Sequence, residues 1–225
     1  MINKLLRKYR TWKWAKLNRN QVFKQGTLLN AFYKSKTIFI HIPKTAGISL
    51  IKAIYGDVTL SGHRSLYFNR IALNIQNDSY FSFSFVRNPF DRLYSTYIFL
   101  KKGGVNQHDQ RAFDNYLSKF KDFKDFVLHG LDDNLIYQII HLIPQHEYLC
   151  DYNDNILVDF IGKFENLDDD IYLLSKKLKK DIKLTHNNYN KYKYKHYRQV
   201  YTELMIEKVS KIYQKDLEIF GYGFI

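Results

Sequence analysis

Cysteine is nearly absent from this chain of 225 residues: Cys150 is the only one, so no internal disulfide can form. Such usage suits a reducing compartment, and a bacterial cytoplasm is the expected one. Proline and glycine are also scarce, at three and ten, and no low-complexity stretch or solenoid-length repeat divides the chain. That argues against a multidomain array and for one domain over residues 31–225, preceded by a basic helical segment over residues 1–30. No apolar run is long enough to span a bilayer or to serve as the h-region of a signal peptide. Acidic residues are missing from residues 1–26, where Lys4, Arg7, Lys8, Arg10, Lys13, Lys16, Arg19 and Lys24 stand without a counter-charge.

The formal net charge of +13 points to anionic partners without selecting among them. The N-terminal segment mixes Leu5, Leu6, Tyr9 and Trp12 with Lys13 and Lys16, as an amphipathic helix resting on an anionic membrane surface or a polyanionic acceptor would. A helix packed on the domain with its lysines solvated accounts for it equally. The expected location is therefore cytoplasmic, with any membrane contact peripheral and at the inner face.

Residues 37–56, TIFIHIPKTAGISLIKAIYG, carry the most information. A β-branched apolar strand runs into a short loop and then an amphipathic helix. Loops of that kind aim backbone N–H groups and the positive end of a helix dipole at one spot, an anion cradle suited to phosphate or sulfate. Lys44 adds a mobile charge, and Thr45 and Ser49 add hydroxyls. The nucleotide-binding pattern G-x-x-x-x-G-K-[ST] fails here, because Lys44 follows Pro43 and precedes Gly47. No strand end supplies the aspartate that supports magnesium in that pattern. A second strand, residues 80–86, ends instead at Arg87 and NPFDRLYSTY. Two strand ends carrying cations predict metal-free binding of a doubly anionic ligand at the C-terminal edge of an α/β sheet.

These residues resemble the PAPS-dependent carbohydrate sulfotransferases of the heparan, chondroitin and dermatan type, including the uronyl 2-O-sulfotransferases. IPKTAGIS resembles that family's 5′-phosphosulfate loop, which implies donor contacts from Lys44, Thr45, Ala46, Gly47, Ile48 and Ser49. FVRNPFDRLYSTY resembles its 3′-phosphate element, which implies that Arg87 and Ser95 hold the 3′-phosphate. Residues 159–170 and 209–222 resemble further blocks in the same order, so the likeness runs from about residue 37 to the C-terminus. It implies a three-layer α/β/α fold around a central, mainly parallel sheet, with PAPS as sulfuryl donor, PAP as product and no metal. The implied acceptor is a saccharide hydroxyl in a capsule, exopolysaccharide or glycolipid.

Sulfuryl transfer needs a group to neutralise the leaving oxygen and another to take the acceptor's proton. Lys44 suits the first task as a point charge on a flexible stem. His63 is the candidate base, since neutral imidazole accepts a proton near neutral pH. The resemblance agrees, because a G-H dipeptide between the two phosphate elements carries the family's catalytic histidine, and Gly62-His63 occupies that interval. Glu147 is the alternative base. Each residue also has a plainer reading: Lys44 as a solvated loop lysine, Arg87 paired with Asp91 or Glu165, Ser95 as a small helix residue and His63 at the surface. His41 and His129 read as structural.

HLIPQHEYLC, residues 141–150, resembles a family segment with H-x-x-P-Q spacing near the acceptor cleft. His141, Gln145 and His146 are weak sugar-binding candidates, and a turn at Pro144 explains the segment as well. Residues 186–202 interleave tyrosine with Lys191, Lys193, Lys195 and Arg198, and resemble the loop that closes over the nucleotide; Tyr197 and Arg198 are the implied contacts. A nucleic-acid-binding module is a rival reading of that stretch, although no nucleic acid is the expectation, and a P-loop-type nucleotide kinase is the rival enzyme. C-terminal helices over residues 169–180 and 201–220 are expected to face the core through Leu204, Val209, Ile212 and Leu217.

Overall fold

The computed structural model describes residues 2–60, 62–76, 79–151, 153–184 and 196–224. In chain order its elements are α1 (Ile2–Leu17), α2 (Leu28–Ser35), β1 (Thr37–Ile40), α3 (Gly47–Tyr55), α4 (Leu66–Ala72), β2 (Phe81–Val86), α5 (Pro89–Lys101) and α6 (Gln107–Ala112). They continue with α7 (Phe123–Asp125), α8 (His146–Leu149), β3 (Phe160–Lys163), α9 (Leu167–Leu178), α10 (Glu203–Ile212) and α11 (Gln214–Phe220). The chain divides into two compact units, one of Met1–Val86 with Glu147–Thr185 and the other of Arg87–His146 with His186–Ile225.

The first unit holds the sheet, in the order β1-β2-β3 with both pairings parallel. Ile40 stands opposite Ser84, and Val86 opposite Lys163, so the three strands end at the same edge. Consecutive strand residues point to opposite faces, yet Ile38, Phe39 and Ile40 are all buried, as are residues 82–86. Both faces are therefore covered, which is the buried parallel sheet of α/β proteins and explains why the strands read as continuous apolar runs. Three polar clamps hold the strands in register. Ser84 Oγ donates to the Ile40 carbonyl at 2.7 Å, and Ser82 donates through both N–H and Oγ to Asp159 Oδ2, each at 2.7 Å.

Around the sheet, the Tyr55 hydroxyl at the end of α3 meets Thr37 Oγ1 at 3.0 Å, and Lys180, past α9, donates to the Ile54 carbonyl. α1 packs along α4, with Ala15 fully buried and Arg64 stacked over the Trp14 and Phe68 rings at 5.1 and 4.9 Å. Arg7 reaches Glu147 at 3.3 Å. The face of α1 turned away from Ala15 exposes Leu6, Tyr9, Lys13 and Leu17. No helix among the described residues is long and apolar enough to cross a membrane.

The second unit is helical and carries its own core, in which Phe90, Tyr97, Phe126, Leu142, Met205, Val209 and Tyr213 are buried. Two π-helical stretches, Phe113–Leu117 and Phe126–Gly130, widen the backbone around that core. The C-terminal region corrects an expectation. Residues 201–220 form two helices broken at Tyr213 (φ −105°, ψ 23°), and Leu204 is 65 % exposed. Met205, Val209 and Tyr213, four residues apart, supply the buried stripe; Leu204, one residue off it, turns outward.

Candidate functional site

β1 ends at Ile40, and the chain reaches α3 through residues 41–46. Two residues of that loop, Lys44 (φ 69°) and Ala46 (φ 63°), lie in the left-handed region, where a side chain costs about 1–3 kcal/mol of strain. Such turns gather backbone N–H groups into a concave nest that favours an anion. Thr45 is fully buried, and its hydroxyl donates to the Ile42 carbonyl at 2.9 Å. Expected as an anion donor, that hydroxyl braces the loop. Lys44 and Ser49 are half-buried, and Ile48 is 54 % exposed.

Gly47 is required by the neighbouring histidine. A Cβ there would lie 1.9 Å from His41 Cδ2, far inside contact distance. His41 is buried, as its structural reading expects, and its ring packs 4.2 Å from that of His63. The His41 carbonyl lies 2.9 Å from His63 Nδ1. A carbonyl only accepts, so Nδ1 carries the hydrogen and Nε2 is the basic nitrogen of the neutral ring. Gly47 and His63 thus both pack against His41, and Lys44 belongs to the same loop.

The second unit holds the other candidates. Asn88 caps α5 by accepting from Phe90 N–H at 3.1 Å and donates to the Gly223 carbonyl at 2.9 Å; Pro89 occupies the first turn, where its missing N–H costs nothing. Arg87 Nε lies 2.8 Å from Asp91 Oδ2, and Ser95 sits one turn beyond Asp91 on the same stripe of the helix. The pairing foreseen for Arg87 with Asp91 is present.

The H-x-x-P-Q segment departs from its expected role. His141 is buried with Nε2 3.8 Å from Asp109, and His146 Nδ1 donates to Asp216 Oδ1 at 2.7 Å. Gln145, expected to touch sugar, is 0 % exposed: its Oε1 accepts from Arg87 N–H at 2.9 Å and its Nε2 donates to the Arg87 carbonyl at 2.8 Å. Both ends of the amide face one peptide and the residue is fully buried, so the side chain presents no exposed group to a saccharide. Asp216, missed in the sequence, lies behind it; no local pattern marks an aspartate in an amphipathic helix as fully buried.

Tyr197, expected to hold nucleotide, is 7 % exposed, with its ring edge-on to Tyr201 and Phe224 at 6.4 and 5.8 Å. Arg198 is exposed, its guanidinium 5.7 Å over the Tyr197 ring. Lys191, Lys193 and Lys195 lie outside the described residues.

The model of the sulfotransferase family matches residues 31–223, so the chain belongs to that family. It is also similar to an uncharacterised protein of Archaeoglobus fulgidus, 31 % identical over 102 residues, which are 45 % of this chain and 69 % of that protein. No solved structure matches.

Proposed function

We propose that this sulfotransferase moves a sulfuryl group from PAPS to a hydroxyl of a carbohydrate acceptor in a capsule, exopolysaccharide or glycolipid. The observation that carries the reading is the loop of residues 41–47. Left-handed turns at Lys44 and Ala46 open a helix at the C-terminal edge of a parallel sheet, with a lysine and a tautomer-fixed histidine beside them. Such a loop fits the 5′-phosphosulfate, and the motif resemblance assigns the 3′-phosphate to Arg87 and Ser95, with Arg198 as a further cation.

In the reaction the acceptor oxygen bonds to sulfur as the bond from sulfur to the bridging phosphate oxygen breaks. His63 Nε2 takes the acceptor's proton. Lys44 and the N–H groups at the start of α3 stabilise the charge that develops on the leaving phosphate. The acceptor's proton ends on His63, and PAP leaves with the bonding pair. No residue of this scheme requires a metal ligand.

The test is transfer of labelled sulfate from PAPS to a panel of saccharides in excess EDTA. The proposal expects labelled product with EDTA present. Transfer of phosphate from ATP that EDTA abolishes would instead identify a kinase. Sugar binding without label would identify a non-catalytic glycan binder, and salt-steep oligonucleotide binding a nucleic-acid module. For the exposed face of α1 we propose an anionic lipid surface. Binding to phosphatidylserine vesicles but not to phosphatidylcholine vesicles is the expected result, and no binding to either would refute it.

A further inference from the structure

The segment of residues 141–146 is pinned to an unusual degree, all within the second unit. Arg92, buried in α5, donates to the His141 carbonyl and to the Ile143 carbonyl, each at 3.0 Å. The hydroxyl of Tyr213 donates to the Leu142 carbonyl at 2.8 Å. Asp216 accepts from the backbone N–H of Gln145 at 2.7 Å and of His146 at 2.9 Å, as well as from the His146 ring. Five of six consecutive residues are thus held through their main chain by buried side chains of α5, α11 and Tyr213. Two of those side chains are an arginine and an aspartate, and Arg92 Nε has no hydrogen-bond partner among the described residues.

Buried charges are poor stabilisers, because desolvation offsets most of their mutual attraction. A fold needing only a filled core would do as well with apolar residues here. Buried polar networks fix geometry, and this one ends on the Gln145 amide set against the main chain of Arg87. A primary amide offers a donor and an acceptor in one plane, so it meets the N–H and C=O of one residue as a neighbouring strand would. Arg87 directly follows the last residue of β2, where strand pairing ends.

We propose that Gln145 is a positioning residue for the 3′-phosphate arginine: Arg92, Tyr213 and Asp216 hold the 141–146 segment so that the Gln145 amide locks the Arg87 peptide and aims its guanidinium. The inference rests on the donor reading given above and assigns the H-x-x-P-Q segment a place in nucleotide selectivity.

Gln145→Glu and Gln145→Ala test it. An ionised Glu keeps the shape but loses the donor and repels the Arg87 carbonyl. A protonated Glu restores one donor and one acceptor, and burial favours that neutral form. The preference for PAP over 5′-AMP, taken relative to wild type at each pH so that phosphate titration cancels, should fall at least tenfold in Gln145→Glu at pH 8. It should recover as the pH is lowered toward 5.5, whereas Gln145→Ala should show the loss without recovery. Because the ratio does not depend on the folded fraction, a merely structural role would leave it unchanged. A wild-type preference for PAP that survives in both variants overturns the inference. A wild type without that preference overturns the donor reading instead. Hydrogen exchange at the Arg87 amide still judges the bracket in that case: faster exchange in Gln145→Ala supports it, and unchanged protection refutes it.

Discussion

The lysine loop and the arginine corner are built from different materials. Around Lys44 the work is done by backbone conformation and by neighbours close in the chain: two left-handed residues, a glycine with no room for a Cβ, and a threonine bonded three residues back. At Arg87 the guanidinium meets Asp91 four residues on, but the main chain is held by side chains far away in the chain, with Gln145 58 residues on and Asp216 some 70 residues beyond that. The difference teaches that a strained turn can be specified locally, whereas the main chain just past a strand end is held here by a buried scaffold. The two regions should therefore fail in different ways when altered.

The largest expected effect separates chemistry from binding within the first unit. His63→Ala should lower turnover by about 10²–10⁴, the usual reach of a general base, while PAP affinity stays near wild type. Undiminished turnover would assign the base elsewhere, with Glu147 the next residue to substitute. At the arginine corner, Asp216→Asn leaves one acceptor where three N–H groups converge. Breaking a buried charged network costs about 3–5 kcal/mol, read as a large drop in melting temperature. A loss below about 1 kcal/mol would show that the corner needs no long-range scaffold. Gly47→Ala should cost less, about 1–3 kcal/mol for overpacking against His41. Its mark should be a disturbed His63 imidazole signal in NMR spectra, and an unchanged signal would uncouple the glycine from the base.

These expectations follow what was legible. Strands expected at the start of residues 37–56 and at residues 80–86, with the loop-helix after each, could be read from the sequence because apolar runs, turn residues and helix starts are local signals, whereas the parallel sheet was what the family resemblance implied. The left-handed backbone at Lys44 and Ala46 and the stacking of His41 on His63 were not legible, although the unusual order Pro-Lys-Thr-Ala-Gly marked the place. Leu204 misled because its spacing fits a helical stripe one residue out of phase with Met205, and periodicity alone cannot choose between the two. Gln145, Asp216 and Arg92 were illegible as a network. Each is an ordinary polar residue until the fold buries it, and no short-range pattern records a contact across 50 to 70 residues.

The smallest effect of any one residue is one of pH. Burial, with Tyr213, Asp91 and Tyr197 nearby, pushes the Tyr201 phenol well above its ordinary value of 10.0, and burial likewise raises Tyr213 and, in the first unit, Tyr55. The folded state therefore favours the protonated phenol, so the stability these groups contribute is complete below pH 10 and declines as the pH rises past it. Each contributes a slope of about 1.4 kcal/mol per pH unit there. Urea denaturation from pH 9 to 11 should show that decline, and Tyr201→Phe should make it shallower by the share of one phenol. A variant as steep as wild type would remove Tyr201 from the account.

The most direct measurement is calorimetry of the protein with PAP, 5′-AMP and ATP, followed by the same titrations on Arg87→Ala. The account predicts that PAP binds at least tenfold more tightly than 5′-AMP without added metal, and that Arg87→Ala erases most of that gap. Equal affinity for PAP and 5′-AMP, or a preference for ATP that requires magnesium, would contradict it.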